Sequence, residues 1–374
     1  MSPLLTLTGD GTFRAPTAEE AQRLDLPDDP HLAALLRLRA LLGDDLEEQI
    51  ATRLYLPSAL GLDETDHLLP ATLALLAETT GDLVSYGWRL GAGAGLAWQH
   101  ARELRARVLD AARIAWLGYE GTVMGTTLGP ATLAGATFLQ SGERTLADPG
   151  AVRDLPMLLA EGLVDHLTEL RERVPGGHQH VLVREDAVAA IHQGRIPTPS
   201  GRRRYDPLPA PEIAVLWRSL YVALEDYGLD ARDVTLGVGA DIALLRAARE
   251  AGARRMAIAP RRLPSLSTPE GRALWEGIAE AADDGCAFEI VVDPRPGGNL
   301  APELETMLET WRRLGHAETD AAGVTVIVHT GASHGLHSGR VDPSAQPEHS
   351  TLLDESALEA MLRIAPTWAE RVSA

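Results

Sequence analysis

Short runs of consecutive apolar residues, separated by longer stretches with helical periodicity, dominate the pattern of hydrophobic and polar positions along the chain. Such runs are typical of strands that are buried on both faces of a parallel sheet. The pattern predicts strands over residues 4–8, 84–90, 122–127, 180–183, 234–238, 255–259, 288–292 and 324–328. Strands that alternate with helices in this number favour an α/β fold, a closed (β/α)8 TIM barrel, over an open doubly wound sheet.

The segment from about residue 17 to residue 62 does not follow this alternation. It reads as helical and irregular, so we interpret it as an N-terminal helical extension or insertion. No long Ser/Gly-rich or charged linker divides the chain. Residues 1–374 are therefore predicted to form a single (β/α)8 barrel domain.

Composition narrows the possible partners. The net charge of −19 argues against nucleic acid, whose binding depends on neutralising phosphates. The sequence has no run of ~20 apolar residues and no basic-then-apolar start, so we expect neither a membrane span nor a secretion signal. The single cysteine, Cys286, excludes an internal disulfide. These features predict a cytoplasmic protein whose partner is a small molecule.

The chain contains no lysine, and all 34 basic residues are arginines. Schiff-base catalysis and pyridoxal-phosphate attachment need a lysine amine, so both are excluded. The Walker phosphate loop is excluded for the same reason.

The fourth predicted strand ends in three charged residues. In a TIM barrel the chemistry lies where the strands meet the loops that follow them. Glu185 and Asp186 could act as general acid and base if burial raised the pKa of one carboxyl group. An ion pair between Glu185 and Arg184 or a loop arginine is the alternative. The candidate catalytic residues are Arg184, Glu185 and Asp186.

Candidate ligand-binding residues follow other predicted strands. Gly237 and Gly239 resemble part of a phosphate-binding turn, and Asp241 begins a helix that could face an anion, although a tight packing turn is the alternative. Arg202 begins an arginine triplet that could bind a carboxylate or phosphate, or lie in a solvated loop. The predicted substrate-binding residues are Trp88, Thr126, Gly129, Arg202, Gly237, Gly239 and Asp241.

Three histidines follow the eighth predicted strand: His329, His334 and His337. Imidazole is a common metal ligand, so these side chains could reach a metal ion. Their spacing matches no strong metal-binding pattern, and a solvated loop is the alternative interpretation.

Four motifs resemble those of a known family. They are GPATLA at 129–134, LADPGAVRDL at 146–155, GRIPTPSG at 194–201 and WRRLG at 311–315. Together they resemble the cobalamin-independent methionine synthase catalytic domain in its short single-barrel form, within the uroporphyrinogen decarboxylase-like superfamily. The resemblance covers roughly residues 68–371.

The resemblance implies a TIM barrel that moves a methyl group from a folate-type donor to a thiol held as thiolate by zinc. The family's zinc ligands are a His-x-Cys after strand five, an acidic residue near strand six and a Cys after strand eight. Here Gly237 and Gly239, Ala259-Pro260 and Thr330-Gly331 stand near those positions. Glycine offers no side-chain donor, so we expect the standard zinc site to be lost, and we assign no other cofactor.

Two alternatives to methyl transfer therefore stay open. One is a non-catalytic paralogue that binds a small carboxylated ligand. The other is a metal-independent decarboxylase or lyase acting on a carboxylated substrate, with Arg184, Arg202 and Arg261 as candidate carboxylate-binding residues.

Overall fold

The computed structural model describes residues 3–44, 49–63, 65–91, 93–293, 301–317, 323–329 and 352–373. The strands are β1 Leu5–Gly9, β2 Ile50–Thr52, β3 Leu54–Tyr55, β4 Gly81–Val84, β5 Gly87–Leu90, β6 Thr122–Leu128, β7 His178–Arg184, β8 Val234–Gly237, β9 Arg255–Ile258, β10 Ala287–Val292 and β11 Val324–Val328. The helices are α1 Ala18–Arg23, α2 Pro30–Leu42, α3 Leu68–Leu73, α4 Leu96–Ala115, α5 Pro130–Ala136, α6 Pro149–Arg173, α7 Val188–His192, α8 Ala210–Asp226, α9 Ile242–Ala251, α10 Pro269–Asp283, α11 Ala301–Arg313 and α12 Glu355–Ser373.

Nine of these strands form one parallel sheet in the order β2-β1-β11-β10-β9-β8-β7-β6-β3. Its two ends, β2 and β3, are consecutive in the chain and are separated only by Arg53. The Arg53 amide donates to the Leu7 carbonyl at 2.7 Å, and the Leu56 amide donates to the Met124 carbonyl at 2.8 Å. The sheet therefore closes on itself, and the helices surround it. The predicted α/β TIM-barrel class is confirmed.

The structure corrects the predicted second strand. Residues 81–90 form an antiparallel hairpin, β4–β5, outside the barrel sheet. The second position in the barrel belongs to β2 and β3, within the segment expected to be helical and irregular. That segment contains the expected helices, α1 and α2, and also these two short strands. An arginine in the middle of IATRLY hides the strand, because the apolar run is interrupted.

A charged cluster fills part of the barrel interior, where parallel strands normally contribute apolar side chains. Arg53 donates to Glu289 at 2.9 Å, and Arg255 lies 3.5 Å from the same carboxylate oxygen. His180, on β7, lies 3.9 Å from Glu289, on β10. Since β7 and β10 are not neighbouring strands, this contact passes through the interior of the barrel.

Helix boundaries follow the capping signals in the sequence. The Thr268 hydroxyl accepts from the Gly271 amide at 3.0 Å, with Pro269 at the first helical position of α10. Asp354 caps α12 by accepting from the Ala357 amide at 2.9 Å. Among the described residues, no helix has both the length and the apolarity needed to cross a bilayer.

Replacing Arg53 by Met tests the interior cluster. The variant leaves the fully buried Glu289 carboxylate with only longer contacts among the described residues, from Arg255 at 3.5 Å and from His180 at 3.9 Å. We therefore expect a loss of about 3 kcal/mol in unfolding free energy, measured by urea denaturation. The matched control is Arg153→Ala, which breaks an exposed ion pair with Asp154 and should cost less than about 1 kcal/mol. Equal losses in both variants would contradict a stabilising role for the Arg53–Glu289 ion pair inside the barrel.

Candidate functional site

A cavity of about 440 Å³ lies at the carboxyl end of the barrel strands. Its wall includes Asp10 after β1, Arg184 at the end of β7, Gly237 at the end of β8, Ala259 after β9 and His329 after β11. Parallel strands present their carboxyl ends at one mouth, which is where TIM barrels carry their functional groups. The cavity is therefore the candidate functional site.

Arg184 connects the charged groups of this mouth. Its guanidinium donates to Asp186 at 2.8 Å and 3.3 Å, and to the backbone carbonyl of Asp10 at 3.2 Å. The Asp10 carboxylate lies 3.5 Å away. A largely buried guanidinium needs such partners because an unpaired buried charge is costly. Arg184 and Asp186 thus form an ion pair at the cavity wall.

Asp10 and His329 form a second pair. The ring nitrogen Nδ1 of His329 lies 2.6 Å from Oδ2 of Asp10. Oδ1 of Asp10 accepts from the amide of Thr12 at 2.9 Å and from its hydroxyl at 2.7 Å. Burial opposes ionisation of Asp10, but the hydrogen bond from His329 and the charge of Arg184 outweigh it and lower the pKa of the carboxyl group. Asp10 is therefore an ionised, fixed partner for the imidazole.

Glu185, a candidate catalytic residue, lines the cavity, and its carboxylate is held by hydrogen-bond donors of the scaffold. Its carboxylate accepts from the amides of Ala131 and Thr132 at 3.1 Å and 2.7 Å, from the Thr132 hydroxyl at 2.7 Å and from the Trp217 indole at 2.8 Å. Burial raises the pKa of Glu185, and these donors oppose the shift. The side chain is 4% exposed and joins β7 to the start of α5 and to α8. Its contacts fit a structural anchor.

Gly129 is explained by the same anchor. A Cβ atom built on Gly129 would lie 2.4 Å from the Glu185 carboxylate. The residue therefore has to be glycine to admit that side chain. Gly129 does not line the cavity.

Gly237, Gly239 and Asp241 all line the cavity, where ligand-binding residues were predicted, and two of them, Gly239 and Asp241, also have a backbone role. Asp241 caps α9 by accepting from the Ala243 amide at 2.8 Å. Gly239 has φ +74, a conformation that favours glycine. At Gly237 an added Cβ would make only ordinary contacts, the shortest being 3.6 Å. Position 237 therefore has room for a larger side chain, including one that could bind a metal ion, yet it is occupied by glycine.

The remaining predicted binding residues lie away from the cavity. Trp88 is buried in β5, outside the barrel. Thr126 is buried on β6, where its side chain packs against Gly11. Arg202 is exposed in the loop after α7. The side chain of Arg261 and the histidines His334 and His337 lie outside the described part of the chain.

The zinc ion implied by the family resemblance does not fit the described residues. Gly237, Gly239 and Ala259 supply no side-chain donor near the cavity. Across the described ranges, no group of three His, Cys, Asp or Glu side chains has an arrangement that could hold a metal ion. His329, a candidate ligand in the sequence, is engaged by Asp10.

Sequence reasoning missed three residues of this mouth: Asp10, Arg195 and Arg262. Asp10 could have been predicted, because the first and last strands of a closed barrel are neighbours. The residues that directly follow these two strands therefore lie side by side. The register of β1 on β11 pairs Gly9 with Val328, which places Asp10 beside His329. Arg195 lies in a loop and Arg262 ends a short 3-10 helix, and neither is long enough for sequence periodicity to indicate which way a side chain points.

Comparisons with known proteins support the fold. No family model and no curated protein matches the sequence. A B12-independent methionine synthase from Shewanella sp. W3-18-1, solved in complex with selenomethionine, is similar over 98% of both chains, with a TM-score of 0.51 and 11% identity. A β-mannanase from the blue mussel Mytilus edulis covers 97% of this chain and 91% of its own, at a TM-score of 0.37 and 10% identity. The first likeness shows the barrel fold alone, and the second is too low to support an argument.

A second, much smaller cavity of about 30 Å³ lies among the outer helices and is lined by His31, His67 and His166. Burial lowers the pKa of His67 to about 4, with Asp63 opposing the shift. Burial, with Arg105 and Arg173, lowers the pKa of His166 to about 3. Nε2 of His67 has no hydrogen-bond partner among the described residues. Both rings are therefore neutral in the folded protein at neutral pH.

This predicts acid sensitivity. Below the ordinary histidine pKa of 6.5, the unfolded chain binds protons that the folded chain does not bind until about pH 4 at His67, so stability falls over this window. Removing the titration with His67→Phe should recover roughly 3 kcal/mol of the loss between pH 7 and pH 4, measured by urea unfolding at both values. The exposed control His178→Gln should leave the loss unchanged; an unchanged loss in His67→Phe contradicts the prediction.

The anchor role of Glu185 predicts a loss of stability. In Glu185→Gln the side-chain NH2 group replaces one accepting oxygen and faces hydrogen-bond donors that it cannot accept from. We therefore expect the unfolding free energy to fall by about 2–4 kcal/mol, measured by urea denaturation. The control Glu143→Gln alters an exposed carboxylate that accepts from the Tyr205 hydroxyl and should change stability by less than about 1 kcal/mol. A fully stable Glu185→Gln protein contradicts the anchor role.

Proposed function

We propose that the protein binds a small carboxylated molecule in the cavity at the barrel mouth, without using the zinc chemistry of methionine synthases. The observation that carries this proposal is that Arg184, Arg195 and Arg262 line the same cavity. Guanidinium groups bind carboxylates through paired hydrogen bonds. A carboxylated ligand was one of the alternatives that the sequence left open. The three arginines of the cavity favour it over methyl transfer.

The three arginines differ in how far their charge is already neutralised. Arg184 is paired with Asp186 and Asp10. Arg262 interacts electrostatically with Asp186 and Asp293, and burial lowers its pKa. Arg195 is half-buried and donates to the neutral side chain of Gln193 at 2.9 Å; within the described ranges it has no carboxylate partner. We therefore assign the main contact with a ligand carboxylate to Arg195.

The size of the cavity suits a small metabolite. A volume of about 440 Å³ lies at the lower end of the range for small-molecule sites, about 300–1,000 Å³. Apolar residues such as Leu182, Val188 and Ile327 supply part of the wall. A ligand with a short carbon chain and one or more carboxylates would match both the wall and the arginines.

Methyl transfer from a folate-type donor to a thiol is the second candidate. The fold likeness to a methionine synthase over 98% of both chains supports the shared scaffold. The absence of donor side chains at Gly237, Gly239 and Ala259 weakens it, because thiolate formation at neutral pH relies on a cation in that chemistry. A thermal-shift survey that includes homocysteine and methyl-folates separates the two candidates.

The carboxylate proposal predicts ligand-dependent stabilisation. At ~100 times Kd, a bound ligand adds about 2.7 kcal/mol, which raises the Tm of a chain of this size by about 3 °C. We expect this shift with tricarballylate or succinate and none with uncharged succinamide. Arg195→Ala should weaken carboxylate binding about 10- to 100-fold by calorimetry, because a charge-assisted hydrogen bond is lost.

The matched control is Arg202→Ala, which removes an exposed guanidinium outside the cavity and should leave the affinity unchanged. Equal weakening in both variants would indicate a general charge effect and contradict the assigned site. A shift with homocysteine or a methyl-folate, and none with carboxylates, would favour the methyl-transfer candidate instead.

A further inference from the structure

We propose that His329 is an acid–base residue that moves a proton to or from the bound ligand, and that Asp10 is its positioning residue. This inference rests on the proposed function, because it takes a carboxylated molecule in the mouth cavity as the proton donor or acceptor. It adds catalysis to binding and gives a role to two residues that the zinc mechanism does not use.

The barrel itself brings the two residues together. β1 and β11 are hydrogen-bonded neighbours in parallel register, with Gly9 opposite Val328. Asp10 and His329 are the next residue of each strand. The amide of His329 donates to the Val292 carbonyl at 2.8 Å, which fixes its backbone against β10 as well. The imidazole position is thus set by three adjacent strands.

The hydrogen bonds of Asp10 define which ring nitrogen carries the proton. An ionised carboxylate can only accept, so Nδ1 of His329, at 2.6 Å from Oδ2, must donate. The neutral imidazole then has its lone pair on Nε2. His329 lines the cavity, so Nε2 is the nitrogen that remains to meet a ligand. A carboxylate that orients a histidine in this way is the arrangement used in acid–base catalysis by hydrolytic triads.

Asp10 is itself held in place. The Thr12 amide and hydroxyl fix Oδ1 at 2.9 Å and 2.7 Å, and Arg184 approaches Oδ2 at 3.5 Å. The Tyr55 hydroxyl donates to the Thr12 carbonyl at 3.0 Å and supports this turn from the neighbouring strand. The carboxylate has little freedom to rotate away from His329, as a positioning residue requires.

The step can be written for a 2-oxo acid whose carboxylate is held by Arg195. Nε2 takes a proton from the carbon next to the ketone, the C–H bond breaks and a new N–H bond forms. The electron pair moves to the ketone oxygen and gives an enolate, which an arginine of the mouth stabilises. Return of a proton from Nε2 to the carbon restores the ligand. The cycle needs no oxidant, reductant or metal.

Two readouts test the proposal. In D2O, 2-oxoglutarate or oxaloacetate bound to the protein should exchange hydrogen for deuterium at this carbon, followed by proton NMR. Exchange should depend on pH, because only an unprotonated Nε2 can accept the proton. His329→Gln should slow it about 10²-fold or more. The charged groups among the described residues that line this mouth or interact with its lining, and so bear on this pH dependence, are Asp10, Arg184, Glu185, Asp186, Arg195, Asp241, Arg262 and Asp293.

The second readout concerns the unliganded protein. Nitrogen-15 NMR should report the Nδ1–H form of His329, and diethylpyrocarbonate should modify its Nε2 faster than it modifies the buried His180. Asp10→Asn should shift the population to the Nε2–H form and alter the pH profile of exchange, an effect that a merely structural role for Asp10 does not produce. Asp10→Glu should restore part of the exchange.

Each outcome decides between the proposals. A 2-oxo acid that binds without exchange overturns the catalytic role of His329 and leaves the binding function standing. Absence of binding by every carboxylate overturns both proposals. An Nε2–H form of His329 in the unaltered protein, or a metal ion that dissociates on His329→Ala, overturns the acid–base assignment whatever the ligand.

Discussion

The guanidinium of Arg184, buried at the mouth of the barrel, constrains the charged residues around it. Its charge is tolerable there only because Asp186 and Asp10 stand on either side, at 2.8 Å and 3.5 Å. The pairing ties the end of β7 to the end of β1. It also helps keep Asp10 ionised, and the ionised carboxylate orients His329. One ion-pair network therefore joins two sides of the cavity and favours the ionised form of Asp10.

The surrounding barrel keeps this network in register. Arg53 bridges β2 and β3 at the place where the sheet closes, and its side chain neutralises Glu289 inside the barrel. Glu185 joins the end of β7 to α5 and α8 through four hydrogen bonds. The charged residues of the mouth thus divide into two kinds. The hydrogen-bonding capacity of some, such as Glu185, is used within the scaffold, whereas others, such as Arg195, keep capacity for a ligand.

Much of the fold could be predicted from the sequence because a buried parallel strand is a run of apolar residues. Such a run can be recognised without knowing which strands pair with it. The second strand could not, since Arg53 interrupts IATRLY and its partner, Glu289, lies 236 residues away. The hairpin at 81–90 has the local pattern of a strand, and only its pairing shows that it stands outside the barrel. The same reason explains the site: the position of Glu185 at a strand end was visible, but Thr132 and Trp217, which occupy its carboxylate, were not.

Within the described part of the chain, the mouth of this barrel carries arginines, carboxylates and one oriented histidine, His329. Whether that mouth handles carboxylated molecules is tested most directly by a crystal structure of the protein grown with tricarballylate. We expect a carboxylate within hydrogen-bonding distance of the Arg195 guanidinium, with Nε2 of His329 facing the ligand. A metal ion bound to His329 or seated beside Gly237, or a ligand-free mouth at saturating tricarballylate, would contradict it.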